Sequence, residues 1–260
     1  MNILDKIINH KKAEVESRRQ LCPVAELEKT MYFNRTPLSL KQFLKDPERT
    51  GIIAEFKKKS PSKGVINDKV LVQDVVNMYD EGGASAISVL TDIDYFGGSD
   101  KDLTQARVTV NCPLLRKDFI VDQYQIVEAK SLGADIILLI AAALTPQKLQ
   151  ELAAFTKYLG MEVLLEVHDE EELKSHINDS VDVVGVNNRN LKTFEVSIET
   201  SKRLSELIPE QFLKVSESGI DNPETIRELK KYGFNGFLIG ENFMKTENPG
   251  KSFKDFVSKI

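Results

Sequence analysis

Ile53, Glu55 and Lys57 stand two apart in the run Ile52-Ile53-Ala54-Glu55-Phe56-Lys57. Side chains alternate across a β-strand, so these three share one face, which begins apolar and ends as an acid beside a base. Burying a carboxylate and an ammonium is costly unless they pair or meet a ligand. An internal salt bridge is one reading; charge held at a strand end for chemistry is the other. The same placement recurs, which favours the second. Leu115-Arg116-Lys117-Asp118-Phe119, Leu164-Leu165-Glu166-Val167-His168, Asn187-Asn188-Arg189 and Glu217-Ser218-Gly219 all carry polar groups where an apolar run stops. Alternation puts Lys117 on the face of Leu115, Glu166 on that of Leu164, and Glu217 on that of Val215. Crowded into a partly dry site, such groups can be tuned towards neutral pH, a lysine serving as general acid and a glutamate as acid or base. Lys117 is the best single proton donor, and a salt bridge to Asp118 or Glu55 is its plainer alternative.

A phosphate site is the next inference. Glu217-Ser218-Gly219 and Leu238-Ile239-Gly240-Glu241-Asn242 close the last two apolar runs. Glycines permit close backbone approach, and a short helix starting at Glu241-Asn242 would aim its positive end at an anion. Either glycine alone is as well explained by a simple turn. His10 and His176 fall on expected exposed positions, and His168 at most orients a loop. The run Asp169-Glu170-Glu171-Glu172 reads as a solvated first helical turn.

These residues need a scaffold that brings strand ends together. After residue 50, short apolar runs alternate with longer amphipathic stretches, as in repeated βα units on a parallel sheet. Eight runs can be counted: Ile52–Phe56, Ala86–Leu90, Pro113–Arg116, Asp135–Ile140, Glu162–Leu165, Asp182–Val186, Leu213–Val215 and Gly236–Ile239. Continuous runs such as Ile136-Ile137-Leu138-Leu139-Ile140 suit strands covered by helices. Helix starts are expected at Asp122 with Gln125, at Thr145-Pro146, at Asp169 with Glu172, and at Asn222-Pro223. Gly133 and Gly160 mark helix ends. Leu71, Val75 and Met78 are spaced as one helical face, as are Leu149, Leu152, Ala153 and Thr156. Residues 1–48 carry Ile3, Leu4, Ile7, Ile8 and Val15, enough for an amphipathic helix with a basic outer face. The expected class is α/β: a (β/α)8 TIM barrel with an N-terminal helical extension, one domain over 1–260, with 1–48 the extension and 49–260 the barrel. An open dinucleotide-binding sheet is disfavoured, because no G-x-G-x-x-G follows the first strand. In such a barrel the active site lies at the carboxyl ends of the strands, where the charges above fall.

Composition narrows the partners. The 260 residues hold 35 Lys and Arg against 40 Asp and Glu, a net charge of −5 too mixed for nucleic-acid or membrane partners. No apolar run approaches the ~20 residues of a membrane helix. Cys22 and Cys112 fit reduced thiols that bind no metal, the start at Met1-Asn2-Ile3-Leu4-Asp5-Lys6 lacks the organisation of a secretion signal, and the expected location is cytoplasmic. A small molecule is the expected partner, with the protein a monomer or weak homo-oligomer.

Taken together, Ile3-Leu4-Asp5-Lys6-Ile7, Ala54-Glu55-Phe56-Lys57 with Ser60-Pro61-Ser62-Lys63-Gly64, Leu115-Arg116-Lys117-Asp118-Phe119, Glu166-Val167-His168, Val186-Asn187-Asn188-Arg189-Asn190-Leu191, Ser216-Glu217-Ser218-Gly219-Ile220 and Leu238-Ile239-Gly240-Glu241 closely resemble the indole-3-glycerol phosphate synthase family. The resemblance spans nearly the whole chain. It implies a carboxy-lyase of tryptophan biosynthesis that cyclises 1-(2-carboxyphenylamino)-1-deoxyribulose 5-phosphate with loss of carbon dioxide and water, without a cofactor or metal. By that likeness Lys117 is the general acid on the ketone oxygen, Glu166 the acid/base group of the dehydration, and Glu55 and Lys57 assist. Asn187 and Glu217, with Ser218, would hold the substrate, Arg189 and Ser60 would lie near its carboxylate, and Phe119 would pack on its ring. Gly219, Gly240 and Glu241, with Lys57, resemble the phosphate cradle. Phe56, Lys59 and Asn242-Phe243 depart slightly from the family pattern. With no second barrel after Ile260, a monofunctional enzyme is expected. The rival readings are a Schiff-base aldolase with Lys117 as nucleophile and a sugar-phosphate sensor without turnover.

Overall fold

The computed structural model describes residues 3–191 and 193–260; Met1 and Asn2, which belong to the amino-terminal start considered above, and Lys192 lie outside them. Eight parallel strands close on themselves: β1 (Ile52–Phe56), β2 (Ala86–Leu90), β3 (Leu114–Lys117), β4 (Ile136–Ile140), β5 (Glu162–Val167), β6 (Val183–Asn187), β7 (Leu213–Glu217) and β8 (Gly236–Ile239). Ile53 of β1 stands opposite Leu238 of β8 on one side and Ala86 of β2 on the other, which closes the ring. This is the (β/α)8 barrel, helices following the strands in alternation.

All eight expected runs are strands, but four extend further towards their carboxyl ends. Expected ends at Arg116, Leu165, Val186 and Val215 become Lys117, Val167, Asn187 and Glu217. The ladder is made by backbone groups, which pair whatever side chain they carry: Ile140 is in register with Glu166, and Asn187 with Glu217. Lys117, Glu166, Asn187 and Glu217 therefore sit on the sheet rather than in loops.

Ile53, Leu115, Leu138, Leu164, Val183, Val215 and Leu238 point inside and pack as one cluster, to which Leu40 and Leu44 also belong. Those two come from the short helix Leu40–Lys45, whose N-cap Ser39 donates to Glu162 at the start of β5 (2.5 Å), so this helix plugs the amino-terminal end of the barrel. Each such fully buried side chain contributes roughly 1.5–3 kcal/mol. The outer faces of the strands meet the helices in a second, larger cluster.

Asp122 and Gln125 form the expected reciprocal cap, and Leu149, Leu152, Ala153 and Thr156 are buried together on the helix that Thr145 and Pro146 begin. Three local expectations change. The helix after β1 spans Val72–Glu81 and buries Val72, Val75, Val76 and Tyr79, whereas Leu71 is 64% exposed. Leu71 is the N-cap, with extended backbone, so its side chain is out of phase with the helix behind it. At the next cap Asp169 accepts from Glu172 N–H, but the Glu172 carboxylate returns to the N–H of His168 rather than to that of Asp169, so this acid is drawn in from the solvated turn. His176 is buried, its Nδ1 and Nε2 each 3.0 Å from a carbonyl oxygen, of Glu172 and Leu144; the last turn of its helix folds beneath the loop after β4.

The first helix, α1 (Ile3–Leu21), lies across the carboxyl ends of β2 and β3 and buries Ile7, Lys11 and Val15, one face at four-residue spacing. The expected basic outer face holds for Lys6, Lys12 and Arg19, which are exposed, but Lys11 turns inward. Its ammonium, 2% exposed, lies 2.7 Å from Glu14, 2.9 Å from Asp92 and 3.0 Å from Asp118. Three carboxylates around one cation make its burial tolerable. Among the described residues, no helix is long and apolar enough to cross a membrane, and Cys22 and Cys112 are both free.

Candidate active site

Every residue expected from the sequence to act on or hold a substrate lines one cavity of about 430 Å³ at the carboxyl ends of the strands: Glu55, Lys57, Ser60, Lys117, Phe119, Glu166, Asn187, Arg189, Glu217, Ser218, Gly219, Gly240 and Glu241. They come from β1, β3, β5, β6, β7 and β8 and the loops behind them. The inward alternation read from the sequence is the arrangement found, with apolar Ile53, Leu115, Leu164 and Val215 one step deeper in the barrel.

Lys117 is the centre. Its Nζ donates to Glu166 Oε2 (3.1 Å) and to Glu217 Oε2 (2.7 Å), so its partners are neither Asp118 nor Glu55. Asp118 points outward to Lys11, Thr91 and Arg116 instead, as the next residue on a strand must. Burial works against the Lys117 charge, yet Glu217, Glu166 and Glu55 outweigh it and raise its pKa above the ordinary lysine value. The expectation of a lysine tuned down to neutrality is thereby corrected: carboxylates outnumber amines here, and each favours the ammonium. Glu217 is the group brought to neutrality. Burial, with the neighbouring Glu166 and Glu55 charges, outweighs the Lys117 ammonium and pushes it up to about 7. Glu166 shifts the other way; burial would raise it, but Lys117 and then His168 hold it well below the usual carboxylate range.

Around this triad the polar groups interlock. Asn187 donates to Glu166 Oε1 (3.0 Å) and accepts from Ser218 Oγ (2.9 Å) and Arg189 N–H (3.0 Å). Glu55, 3% exposed, pairs with Lys57 at 2.5 Å, so the internal salt bridge exists and stands in the cavity wall. Ser60 Oγ is buried without a hydrogen-bond partner among the described residues, in a two-residue antiparallel ribbon, Lys59–Ser60 with Gly64–Val65. Phe119 meets Phe96 at 6.0 Å between ring centroids, forming an aromatic wall.

At the opposite side, Ser218 and Gly219 both have positive φ, 66° and 74°. For serine this conformation is strained, and a seryl side chain held there against Asn187 is the kind of local cost that functional sites carry. A Cβ on Gly240 would lie 2.9 Å from Glu55 Cβ, so glycine here lets β8 approach the β1 acid as well as opening the backbone to a ligand. The helix Glu241–Met244 begins where expected, with the Glu241 carboxylate 3.8 Å from Lys63 in the loop after β1. Its side chain is 38% exposed, so the Glu241 backbone is the part suited to an anion.

Sequence reasoning missed the apolar side of the cavity. Ile3, Leu4 and Ile7 of α1 line it, as do Phe96, Leu191, Phe194 and Ile220. The α1 stripe was legible as a buried face, but nothing local states that the barrel mouth is what it covers. Lys245, another lining residue, stands one turn beyond Glu241, and that helical spacing was its available signal.

A closed α/β barrel with a lysine and paired carboxylates gathered in one mouth has the build of a barrel enzyme that works by proton transfer. The family described as indole-3-glycerol phosphate synthase matches residues 4–256. A relative of that name from Bacteroides thetaiotaomicron is 47% identical over 259 residues, covering 100% of this chain and 99% of its own length. Another, from Salinibacter ruber, is 47% identical over 254 residues, covering 97% and 94%. The chain belongs to the indole-3-glycerol phosphate synthase family and is a carboxy-lyase of tryptophan biosynthesis. Among solved structures, a mutant tryptophan synthase alpha-subunit from Pyrococcus furiosus superposes with a TM-score of 0.62 at 16% identity, covering 82% of this chain and 98% of its own. A structure described as native KDPGal gives 0.58 at 13%, covering 83% and 92%. At such identities these two likenesses show the barrel alone.

Proposed function

We propose that this cavity closes and aromatises the five-membered ring of 1-(2-carboxyphenylamino)-1-deoxyribulose 5-phosphate, giving indole-3-glycerol phosphate, carbon dioxide and water. The aromatic carbon that bears the carboxylate attacks the ketone carbon, and Lys117 gives the ketone oxygen a proton as it becomes an alkoxide. An ammonium of raised pKa remains competent here, because an alkoxide is more basic still. Carbon dioxide leaves, and its bonding pair restores the benzene ring. Glu166, ionised at rest, takes a proton from the carbon beside the nitrogen and delivers it to the departing hydroxyl, which leaves as water. Glu55 and Lys57 assist, Lys57 also balancing phosphate charge. Asn187, Glu217 and Ser218 hold substrate hydroxyls, Arg189 and Ser60 face the carboxylate, and Phe119 packs on the ring. Gly219, Gly240 and the Glu241 backbone take the phosphate.

One observation carries this reading: Lys117 Nζ lies between Glu166 and Glu217 in a cavity whose other flank is apolar and aromatic. Proton supply and a held aromatic ring are the two needs of this reaction. We read the chain as one domain with residues 1–48 as its extension, a monomer or weak homo-oligomer, cytoplasmic, without nucleic-acid or membrane partners. The two free thiols agree with a reducing compartment. Growth of indole fluorescence with the carboxyphenylamino substrate is the direct assay; a flat trace from well-folded protein would end the proposal. Borohydride trapping of a ketose phosphate on Lys117 would favour the aldolase instead.

A further inference from the structure

His168 follows the end of β5, and its imidazole is caught between two acids. Nδ1 lies 3.1 Å from Glu172 Oε2, and Nε2 lies 3.4 Å from Glu166 Oε1, long for a hydrogen bond but within ion-pair reach. The side chain is 11% exposed. Glu172 is itself fixed, since the same oxygen accepts the His168 N–H at 2.8 Å. A neutral imidazole has one N–H and one lone pair, so a carboxylate at each nitrogen is satisfied only by the doubly protonated ring.

We propose that His168, kept as an imidazolium by Glu172, is a positioning residue for Glu166. The inference rests on the role given to Glu166 above. The imidazole faces Glu166 from β5 and Glu172 from helix Glu170–His176. Glu166 faces Lys117 at its other oxygen and the neutral Asn187 amide, and Glu217 stands beyond Lys117. Glu166 thus has one cation at each oxygen. That arrangement fixes its plane and keeps it ionised, ready to accept a proton. Burial opposes the charge on His168, but the two carboxylates overcome it and hold its pKa up to about 10.

The test joins imidazole NMR with pH–rate profiles. The protein has three histidines, so H168Q identifies the resonance. In the wild-type protein the His168 ring is expected to remain protonated at pH 8, and in E172Q to titrate at least about one unit lower. H168Q is expected to lift the acid limb of kcat by about one unit, a tenfold loss on the acid side, with KM changed less than about twofold. A wild-type His168 titrating near the free value of ~6.5, an unchanged titration in E172Q, or a superposable H168Q profile each overturns the proposal. E172Q keeps the ring and carries the test should H168Q fail to fold. NMR needs no turnover, so a raised imidazole in a protein that makes no indole product would sink the reaction while upholding the ion pair, and an ordinary imidazole in an active enzyme would do the reverse.

Discussion

Glu217 gives one carboxylate oxygen to Lys117 at 2.7 Å, while its other oxygen is buried without a hydrogen bond among the described residues. Gly185 makes this possible: a Cβ there would come within 2.5 Å of that free oxygen. A half-satisfied buried carboxylate is poised to bind a proton or a substrate hydroxyl.

The raised Glu217 pKa fixes a sign. Its folded value, about 7, exceeds the ordinary 4.5, so the folded protein binds the extra proton between these values and stability falls as pH rises through that window. Glu217→Gln removes this dependence. Relative to wild type, its Tm should climb from pH 5 to pH 8 by at least ~2 °C, as calorimetry across that range would show. Parallel Tm curves would mean that Glu217 is ionised throughout.

Glu166 has the opposite sign. Its depressed pKa gives stability that is present above the ordinary carboxylate range and lost as pH falls through its folded value. Glu166→Gln should flatten the acid side of the stability curve. It should also cut turnover at least ~10²-fold, as should Lys117→Ala, with the far-UV circular dichroism of both variants unchanged. Near-wild-type rates would remove these residues from the proton-transfer steps.

Lys11 anchors α1 over the mouth through Asp92 and Asp118, and Asp118 also accepts the N–H of Phe119 at 2.8 Å. Lys11→Met should lower unfolding stability by about 3–5 kcal/mol in urea titrations, because it strands buried carboxylates. Adding Asp92→Asn should recover part of that loss, and strictly additive effects would show that the two do not interact.

Gly240→Ala tests the packing of β8 against β1. At Gly240 (φ −125°, ψ −67°) a new methyl would come within 2.9 Å of Glu55 Cβ. The variant should lose about 1–3 kcal/mol and most of its turnover. If Glu55→Ala in the same chain does not restore the stability, the clash lies elsewhere.

Much of this protein is settled by short-range pattern. Period-two alternation put Glu55, Lys117, Glu166 and Glu217 on the inward faces of their strands, and capping pairs such as Asp122 with Gln125 placed helix starts, because both depend only on neighbouring residues. Strand ends were less legible, since an apolar run stops at the first polar side chain while the backbone ladder continues to Asn187 and Glu217. Pairing among the charges needed the closed barrel. Lys117 reaches acids 49 and 100 residues away, where sequence offered the adjacent Asp118 or the early Glu55. The inward turn of Lys11, the burial of His176 and the neutral-range carboxylate at Glu217 are likewise products of closure. A side chain's charge state follows from the sum of desolvation and the charges around it, and those neighbours exist only once distant strands have been brought edge to edge.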